Sequence, residues 1–436
     1  MTSAAPASHE PVFANTRRVR TGRRIVLPLC AVALALVTVT VAVAIARSPR
    51  VHGAFAPQCP DPYSSYRDPA NPLMLPGGPR SDPLTGAEFF VDGPRHGAAA
   101  GAIESLLGID PQSYPDDYSW AAFKQAIDHG RLHHKLAGRA HASLRWKVSM
   151  LEKIAEEPEA LRFSIYSGGG GPGAIYGQVQ KVFCHNLTAD PGSIPIISTY
   201  FLHPVFSDCP TPSEVLAAGP AFRRRIDEMA AGTGNRPAVY LLELDGVGSS
   251  RCLQRTGALG DWEADLRYEA QTMEALPHTA VYLEAGYSDA NPVGYTAGVL
   301  NAAGVQGIRG FFTNDTHLNW TINEVRWARK ISRLTGGAHF IVNTAQNGRG
   351  PKGNPDPVTQ GNEDLCNPPG RGLGPQDTTE TGFLGADGFL WTHVPGNSSG
   401  SCGGGPEAGT FWPARAIGLA ARANGRLGPG YPSRPY

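Results

Sequence analysis

Five runs of apolar residues recur through the middle of the chain, each bounded by polar or turn-forming residues. They cover residues 194–202, 238–245, 280–286, 307–314 and 339–345. Near-continuous apolar runs of this length are typical of strands that are buried on both faces, as in parallel sheets. We therefore predict a strand at each of the five positions.

Segments with helical periodicity alternate with these runs. Apolar residues recur at spacings of three and four in residues 143–161, 213–232 and 322–334, and Ser213 is the expected N-cap of the second segment. Strands that alternate with helices indicate an α/β fold with a parallel sheet. At least five such units over some 200 residues favour a barrel over an open sheet.

The N-terminal region has a different pattern. A basic stretch at residues 16–24 precedes residues 25–46, which are uncharged and almost wholly apolar. A helix of this length, at about 1.5 Å per residue, covers a bilayer core of roughly 30 Å. We expect a transmembrane anchor with residues 1–24 in the cytoplasm. A cleaved signal peptide is the alternative, because the Ala-Ile-Ala before Arg47 resembles a cleavage site. Both interpretations predict export, either to the extracellular side of the membrane or into the medium.

The exported part divides into two regions by composition. Residues 47–81 are rich in proline and have no periodic pattern, so we expect a connector there. The strand and helix signals fall within residues 82–436, which we expect to form one large domain.

Charge and cysteine usage narrow the possible partners. The 436 residues have a formal net charge of +0 and only 17% are charged, which argues against nucleic acid or an anionic membrane surface as the main partner. Cys30 lies in the apolar N-terminal segment, and the even number of remaining cysteines in an exported chain predicts disulfides. They form no CxxC pair, so the sequence indicates no zinc site. It indicates no other cofactor. As a separate expectation, we take the chain to be a monomer. The six cysteines are Cys59, Cys184, Cys209, Cys252, Cys366 and Cys402.

Polar residues stand where the predicted strands end. Asp245, Glu284, Asn314 and Asn343 close four of them, and Asp208 follows a fifth after a short loop. A single such residue is more often the cap of the following helix. Their convergence at several strand ends predicts an active site at the carboxyl edge of the barrel.

At these residues the chain resembles glycoside hydrolase family 6, whose cellobiohydrolases and endoglucanases act on β-1,4-glucan. The resemblance runs from residue 82 to near the C-terminus. It implies a distorted parallel (β/α) barrel with fewer than eight strands and a β-glucan polysaccharide or oligosaccharide bound at the strand ends. The blocks that carry it are SDC (207–209), AVYLLELDGVG (238–248), VYLEAGYSDA (281–290), GFFTNDTHLN (310–319), HFIVNTAQNGRGP (339–351), LCNPPGRGLG (365–374) and LWTHVPGNSSGSCGGGPEAGTFWP (390–413).

The resemblance also implies how the cysteines pair. The two disulfides of the family map to Cys209–Cys252 and Cys366–Cys402. Cys59 and Cys184 are left over, and we predict a third bridge between them.

Two aspartates match the catalytic positions of the family, which inverts the anomeric centre. Asp245 matches the general acid, and Asp208 matches a second aspartate that raises the pKa of the acid and shares its proton. Two carboxylates close together do not both ionise readily, so one stays protonated near neutral pH. We expect both residues to be catalytic.

Other positions of the site depart from the family pattern. The position of the usual base is Ser399, and two sugar-stacking tryptophans are replaced by Ala290 and Leu365. An aspartate has become Glu284 and a histidine has become Tyr287. We expect substrate contacts from Glu284, His317, His393 and Asn397.

The serine at the base position leaves three explanations open. A different carboxylate acts through water, with Asp289, Asp315 and Glu407 as candidates, although a residue of this kind more often caps a turn or faces solvent. Alternatively, Asp208 and ordered water support a slow reaction, or hydrolysis is lost and the cleft only binds glycan. We expect an enzyme, because a protein that only binds glycan has no need for the pair of Asp208 and Asp245.

Overall fold

A computed structural model describes most of the chain after the N-terminal region. It covers residues 59–61, 83–94, 96–110, 113–114, 118–130, 132–165, 167, 171–202, 209–351 and 366–433. The predicted anchor at 25–46, most of the connector at 47–81, Asp208 and Leu365 lie outside the described residues. No helix in the part of the chain that the structure describes is long and apolar enough to cross a membrane.

A seven-stranded parallel sheet forms the centre of the fold. Each strand pairs with the next along the chain, in the order β1 to β7, and the sheet curls into a partial barrel surrounded by helices. The predicted fold class, a parallel α/β barrel with fewer than eight strands, is confirmed. The strands are β1 (Leu161–Ser164), β2 (Ile196–Tyr200), β3 (Ala238–Leu242), β4 (Thr279–Glu284), β5 (Gly310–Thr313), β6 (His339–Asn343) and β7 (Ala386–Leu390).

Helices follow most of the strands and cover the sheet. Short 3-10 turns at His133–Lys135, Arg139–His141, Val305–Gly307 and Cys402–Gly404 add to them. The α-helices are α1 (Ala98–Leu107), α2 (Trp120–Asp128), α3 (Ala142–Ala155), α4 (Ala174–Ala189), α5 (Pro212–Thr233), α6 (Gly246–Ser249), α7 (Arg251–Thr256), α8 (Leu259–Glu274), α9 (Val293–Ala302), α10 (Thr321–Leu334) and α11 (Pro413–Ala421).

The apolar runs form strands because both faces of the sheet are buried. In β3, Tyr240 and Leu242 pack into the core shared with the covering helices. Val239 and Leu241, which point the other way, join a second core with residues such as Tyr282 of β4. The alternation along one fully apolar strand therefore fills both sides of the curled sheet.

The segment predicted as a helix over 143–161 ends early. Helix α3 stops at Ala155, and Leu161 already begins strand β1. Pro158 lies between them, and proline cannot continue a helix because it lacks the N–H and fixes its own backbone. Strands β1 and β7 were not among the five predicted strands.

The N-cap of helix α5 lies two residues before the predicted cap. Thr211 is the N-cap: its hydroxyl accepts from the Glu214 N–H at 3.4 Å, and the Glu214 carboxylate accepts from the Thr211 N–H at 2.8 Å. Pro212 occupies the first helical position, where the missing N–H costs nothing. Ser213, the cap expected from the sequence, is inside the helix because this reciprocal capping box satisfies the terminus better.

Three disulfides tie the loops to this framework. They join Cys59 to Cys184, Cys209 to Cys252 and Cys366 to Cys402, the pairs expected from the sequence. The second bridge fixes the chain just before α5 to helix α7, which follows Asp245 closely. The third joins the segment before β7 to the loop after it.

Candidate active site

The chain turns sharply as it leaves strand β3. Glu243 and Asp245 both have left-handed backbone angles, with φ of 57° and 60°. Such angles are unfavourable for residues with a Cβ and concentrate at functional sites. The turn is held by the Leu244 N–H, which donates to Thr199 O of β2 at 3.1 Å, and by the Glu243 N–H, which donates to Thr199 Oγ1 at 2.9 Å. Asp245 is thereby placed at the carboxyl edge of the sheet, directly before α6.

Two hydroxyl groups from neighbouring strand ends hold Asp245. Tyr287, after β4, donates its OH to Oδ1 of Asp245, and Thr316, after β5, donates Oγ1–H to the same oxygen at 2.8 Å. Burial raises the pKa of Asp245, and the negative charge of Asp315 raises it further, against the lowering by these hydrogen bonds. A carboxyl group with a raised pKa keeps its proton and is suited to donate it.

Glu284, at the end of β4, supports the turn that carries Asp245. Its Oε2 accepts from the N–H groups of Val247 at 2.7 Å and Gly248 at 3.1 Å, in helix α6. The residue is fully buried, and burial followed by the charge of Asp245 raises its pKa well above the ordinary value. The recorded contacts of Glu284 are therefore with backbone, and its predicted contact with substrate stays a prediction.

Asp315 lies inside the site and not on a solvent-facing turn. It follows strand β5, is fully buried, and its Oδ1 accepts from Thr392 Oγ1 at 2.6 Å. Arg162 Nη2 lies 3.9 Å from Oδ2, and His393 Nδ1 lies 3.8 Å from Oδ1. Burial acts to raise the pKa of Asp315, but contact with His393 and the charge of Arg162 outweigh it, so the pKa is lowered. The pKa values of the two carboxyl groups are therefore displaced in opposite directions, upward for Asp245 and downward for Asp315.

His317 contacts both Asp289 and the ring of Tyr287. His317 Nδ1 lies 2.9 Å from Asp289 Oδ1, and Asn319 Nδ2 donates to the same oxygen at 2.7 Å. The imidazole stacks on the Tyr287 ring with centroids 3.6 Å apart and planes at 8°. Burial acts to raise the pKa of Asp289, but His317 and Asn319 outweigh it and lower the pKa. Through His317, Asp289 therefore supports the ring that stacks on Tyr287, one of the two residues that hold Asp245.

Two residues of this site were missed by the sequence analysis. Arg162 of β1 forms an ion pair with Asp315, and Tyr200, the last residue of β2, interacts electrostatically with Asp245. Burial raises the pKa of the Tyr200 phenol, as does the charge of Asp245, while Arg162 opposes them. Tyr200 is the last residue of β2 and has the signal that marked the other site residues, a polar group at a strand end. Arg162 is the second residue of β1, a strand that was not predicted, so it lacks that signal.

The loop from His393 to Cys402 is well held but carries no carboxylate. Asn367 organises it, with Nδ2 donating to Gly400 O at 2.7 Å and Cys402 O at 3.0 Å, and with Oδ1 accepting from the Ser399 N–H at 2.9 Å. Ser399 is exposed, and so is Glu407, one of the candidate bases. Glu407 therefore keeps the solvent-facing interpretation.

A cavity of about 320 Å³ opens at this edge, next to the carboxylate cluster. Arg162 and His393, the two partners of Asp315, line it together with Asn397. His393 also lies 3.2 Å from Asn343 Nδ2 through its Nδ1. The lining thus includes two of the predicted substrate contacts, His393 and Asn397. The described residues contain no group of three or more His, Cys, Asp or Glu side chains placed to hold a metal ion.

Comparison with known proteins agrees with this architecture. A sequence profile described as glycosyl hydrolases family 6 matches residues 217–423. Endoglucanase 1 of Streptomyces sp. (strain KSM-9) is 31% identical over 274 residues, which is 62% of this chain and 70% of that protein. The chain belongs to glycosyl hydrolases family 6. Endoglucanase A of Cellulomonas fimi is 29% identical over 63% of this family 6 chain and 56% of its own length.

A solved structure of the family extends the match. The endoglucanase Cel6 from Mycobacterium tuberculosis, in complex with a thio-linked methyl cellobiosyl cellobioside, has a TM-score of 0.60 and 27% identity. The match covers 81% of this family 6 chain and 99% of that one. In contrast, the chain spans only 56 to 70% of the length of the two curated relatives named above.

Proposed function

We propose that this family 6 chain is an exported glycoside hydrolase that cleaves β-1,4-glucan with inversion and uses Asp245 as its general acid. The observation that carries the proposal is the environment of Asp245. Its carboxyl is held by Tyr287 and Thr316 at the carboxyl edge of the sheet, and burial and Asp315 raise its pKa. Named relatives are endoglucanases, and one is solved with a thio-cello-oligosaccharide.

The chemistry follows from the protonation state of Asp245. The leaving glycosidic oxygen takes the proton of Asp245 as the C1–O bond breaks, so the departing sugar leaves as a neutral alcohol. A raised pKa favours the acid because the proton is still present near neutral pH. Asp208 remains a predicted partner of Asp245, at a position outside the described residues. Substrate contacts from Glu284, His317, His393 and Asn397 also remain predictions.

Export and membrane attachment are part of the proposal. The six cysteines outside residue 30 all form disulfides, which persist in oxidising compartments. The apolar segment at 25–46 would attach the monomer to the extracellular side of the membrane, or be removed on secretion.

Hydrolysis of cellopentaose by the full-length chain tests the enzyme proposal. We expect measurable turnover, and a loss of roughly 10²–10⁴-fold in kcat for Asp245→Ala, because general acid help is removed. Unchanged turnover in that variant would overturn the role of Asp245.

A glycan-binding protein without turnover is the second candidate. Its support is the loop at Ser399, which is exposed and has no carboxylate, with Asn397 beside it. This candidate predicts that the wild type and Asp245→Ala both bind cellopentaose, measured by calorimetry, while neither releases shorter sugars.

A further inference from the structure

We propose that Asp315 is the catalytic base of this chain, taking the role that the loop at Ser399 cannot fill. The proposal rests on the proposed hydrolytic function. It assigns the base to a residue just after strand β5, whose carboxylate is contacted by Thr392 and His393 from the segment after β7.

The position of Asp315 relative to the acid supports this role. Asp315 precedes Thr316, whose hydroxyl donates to Asp245 at 2.8 Å, so one short segment carries a contact of the acid and the proposed base. The charge of Asp315 also disfavours ionisation of Asp245. A pair of carboxyl groups with pKa values displaced in this way is suited to divide the roles of acid and base.

The hydrogen bonding of Asp315 leaves one oxygen available. Oδ1 accepts from Thr392 Oγ1, but Oδ2 accepts no hydrogen bond from any residue that the structure describes. A fully buried carboxylate oxygen without a partner is costly, so it needs a ligand such as water. Arg162, whose Nη2 is 3.9 Å from that oxygen, also lines the cavity, so Oδ2 lies one side chain away from that space.

Arg162 and His393, which face Asp315 from β1 and from the loop after β7, favour its ionised form. The acidic groups that interact with it, Asp245, Glu284 and Tyr200, act in the opposite direction. The other candidates are less suited. Asp289 already accepts from His317 and Asn319, and Glu407 is exposed.

The step balances as a single displacement. A water molecule held between Asp315 and the sugar loses a proton to Asp315, directly or through one further water, while its oxygen forms a bond to C1. The C1–O4 bond breaks, its electron pair goes to O4, and O4 takes the proton of Asp245. The products are an α-configured hemiacetal and an alcohol. Asp315 ends protonated and Asp245 ionised, and exchange with solvent restores both.

The test compares Asp315→Ala and Asp315→Asn with the wild type on cellopentaose and on 2,4-dinitrophenyl β-cellobioside. A good leaving group needs no protonation, so Asp245→Ala should recover activity on the dinitrophenyl substrate while both Asp315 variants stay at least 100-fold slow on both substrates. Added azide should raise the rate of Asp315→Ala and give the α-glycosyl azide, because azide replaces the activated water without needing a base.

The pH–rate profile is a further measurement. Asp315→Asn should lose the acidic limb of this profile, since that limb reports protonation of the base.

A matched control separates chemistry from folding. Asp265 is also a buried aspartate, paired with Arg223 at 2.8 Å but between helices α5 and α8, away from the cleft. Asp265→Asn should lower thermal stability and leave kcat within about twofold of the wild type below its melting temperature. Melting curves of the Asp315 variants show whether they are folded at the assay temperature.

The outcomes distinguish the two proposals. Wild-type turnover with Asp315 variants that keep more than a tenth of it, or that yield no glycosyl azide, overturns the assignment of the base and leaves the hydrolase proposal intact. Absence of wild-type turnover on both substrates overturns the hydrolase proposal itself.

Discussion

The two sides of the cleft differ in where their acidic groups are. The side built from β3, β4 and β5 holds Asp245, Glu284 and Asp315, each placed within a few residues of a strand end. The loop after β7 is held by Asn367 and by the disulfide from Cys366 to Cys402, yet it contains no carboxylate between His393 and Cys402. Both sides are ordered by specific contacts, so rigidity of a loop does not identify the side that carries the chemistry.

The comparison has a physical reason. A carboxylate at a strand end can be buried, because backbone amides and neighbouring side chains satisfy it, as Val247 and Gly248 do for Glu284. Burial and the charge of Asp315 raise the pKa of Asp245, whereas the pKa of Asp315 is lowered because His393 and Arg162 outweigh the effect of its burial. An exposed position such as Ser399 offers less of this control.

The largest expected effect comes from removing the carboxylate of Asp315 and introducing one at Ser399, in the loop after β7. In an Asp315→Asn background, Ser399→Asp should restore activity on cellopentaose by at least about tenfold, because general base catalysis is worth roughly 10²–10⁴-fold when well placed. In the wild-type background the same substitution should change kcat by less than about threefold. A large gain in the wild type and none in the Asp315→Asn background would show that the loop side lacks the base and that Asp315 does not supply it.

A smaller effect is expected from substitution of Glu284, which holds the turn that carries Asp245. Glu284→Ala removes the acceptor of two N–H groups at the start of α6, so we expect a stability loss of about 1–2 kcal/mol and a fall in kcat of about tenfold. Glu284→Gln keeps an acceptor oxygen of similar reach and should retain most of both. Denaturant unfolding and initial rates measure the two effects. Equal losses in both variants would indicate that the charge of Glu284 matters, and not its contacts with Val247 and Gly248.

The sequence predicted much of the side built from β3, β4 and β5, and less of the other parts of the fold and site. Strands β2 to β6 follow from their apolar runs, and Asp245 from its place at the end of one. Strand β7 was missed because Asp387 and Gly388 interrupt its apolar pattern; Asp387 is tolerated there because Arg309 and Tyr282 satisfy its carboxylate. Arg309 Nε lies 2.6 Å from Asp387 Oδ2, a contact between strand regions that local patterns do not reveal.

The role of Asp315 was also beyond local pattern. An aspartate after a strand most often caps a helix, and the sequence left Asp315 with that interpretation beside the catalytic one. The structure differs because Arg162, more than 150 positions earlier, and Thr392, 77 positions later, converge on its carboxylate. Contacts of such sequence separation depend on closure of the whole sheet, which single-sequence reasoning does not supply.

The last expected effect is on stability alone and concerns Glu243, two residues before Asp245. Glu243, whose carboxylate accepts from the N–H groups of Phe201 and Leu202, has its pKa raised by burial from 4.5 to about 7. A carboxyl with a raised pKa favours the protonated native state, so its stabilising effect is complete below the unfolded value and is lost as pH rises to about 7. We expect the free energy of unfolding to fall by about 2 kcal/mol from this group between pH 5 and pH 7. Urea unfolding at both pH values measures the slope, which Glu243→Gln should remove; a stability that rises over this interval in the wild type and is unaffected by the substitution would contradict it.

The central claim, that this cleft hydrolyses β-1,4-glucan with inversion through Asp245, is tested most directly by the anomer first released. Proton NMR of the full-length chain acting on cellopentaose should show the α-anomer of the new reducing end before mutarotation, with the signal absent over the same period in Asp245→Ala. Initial release of the β-anomer, or no release by the wild type at all, would contradict the account.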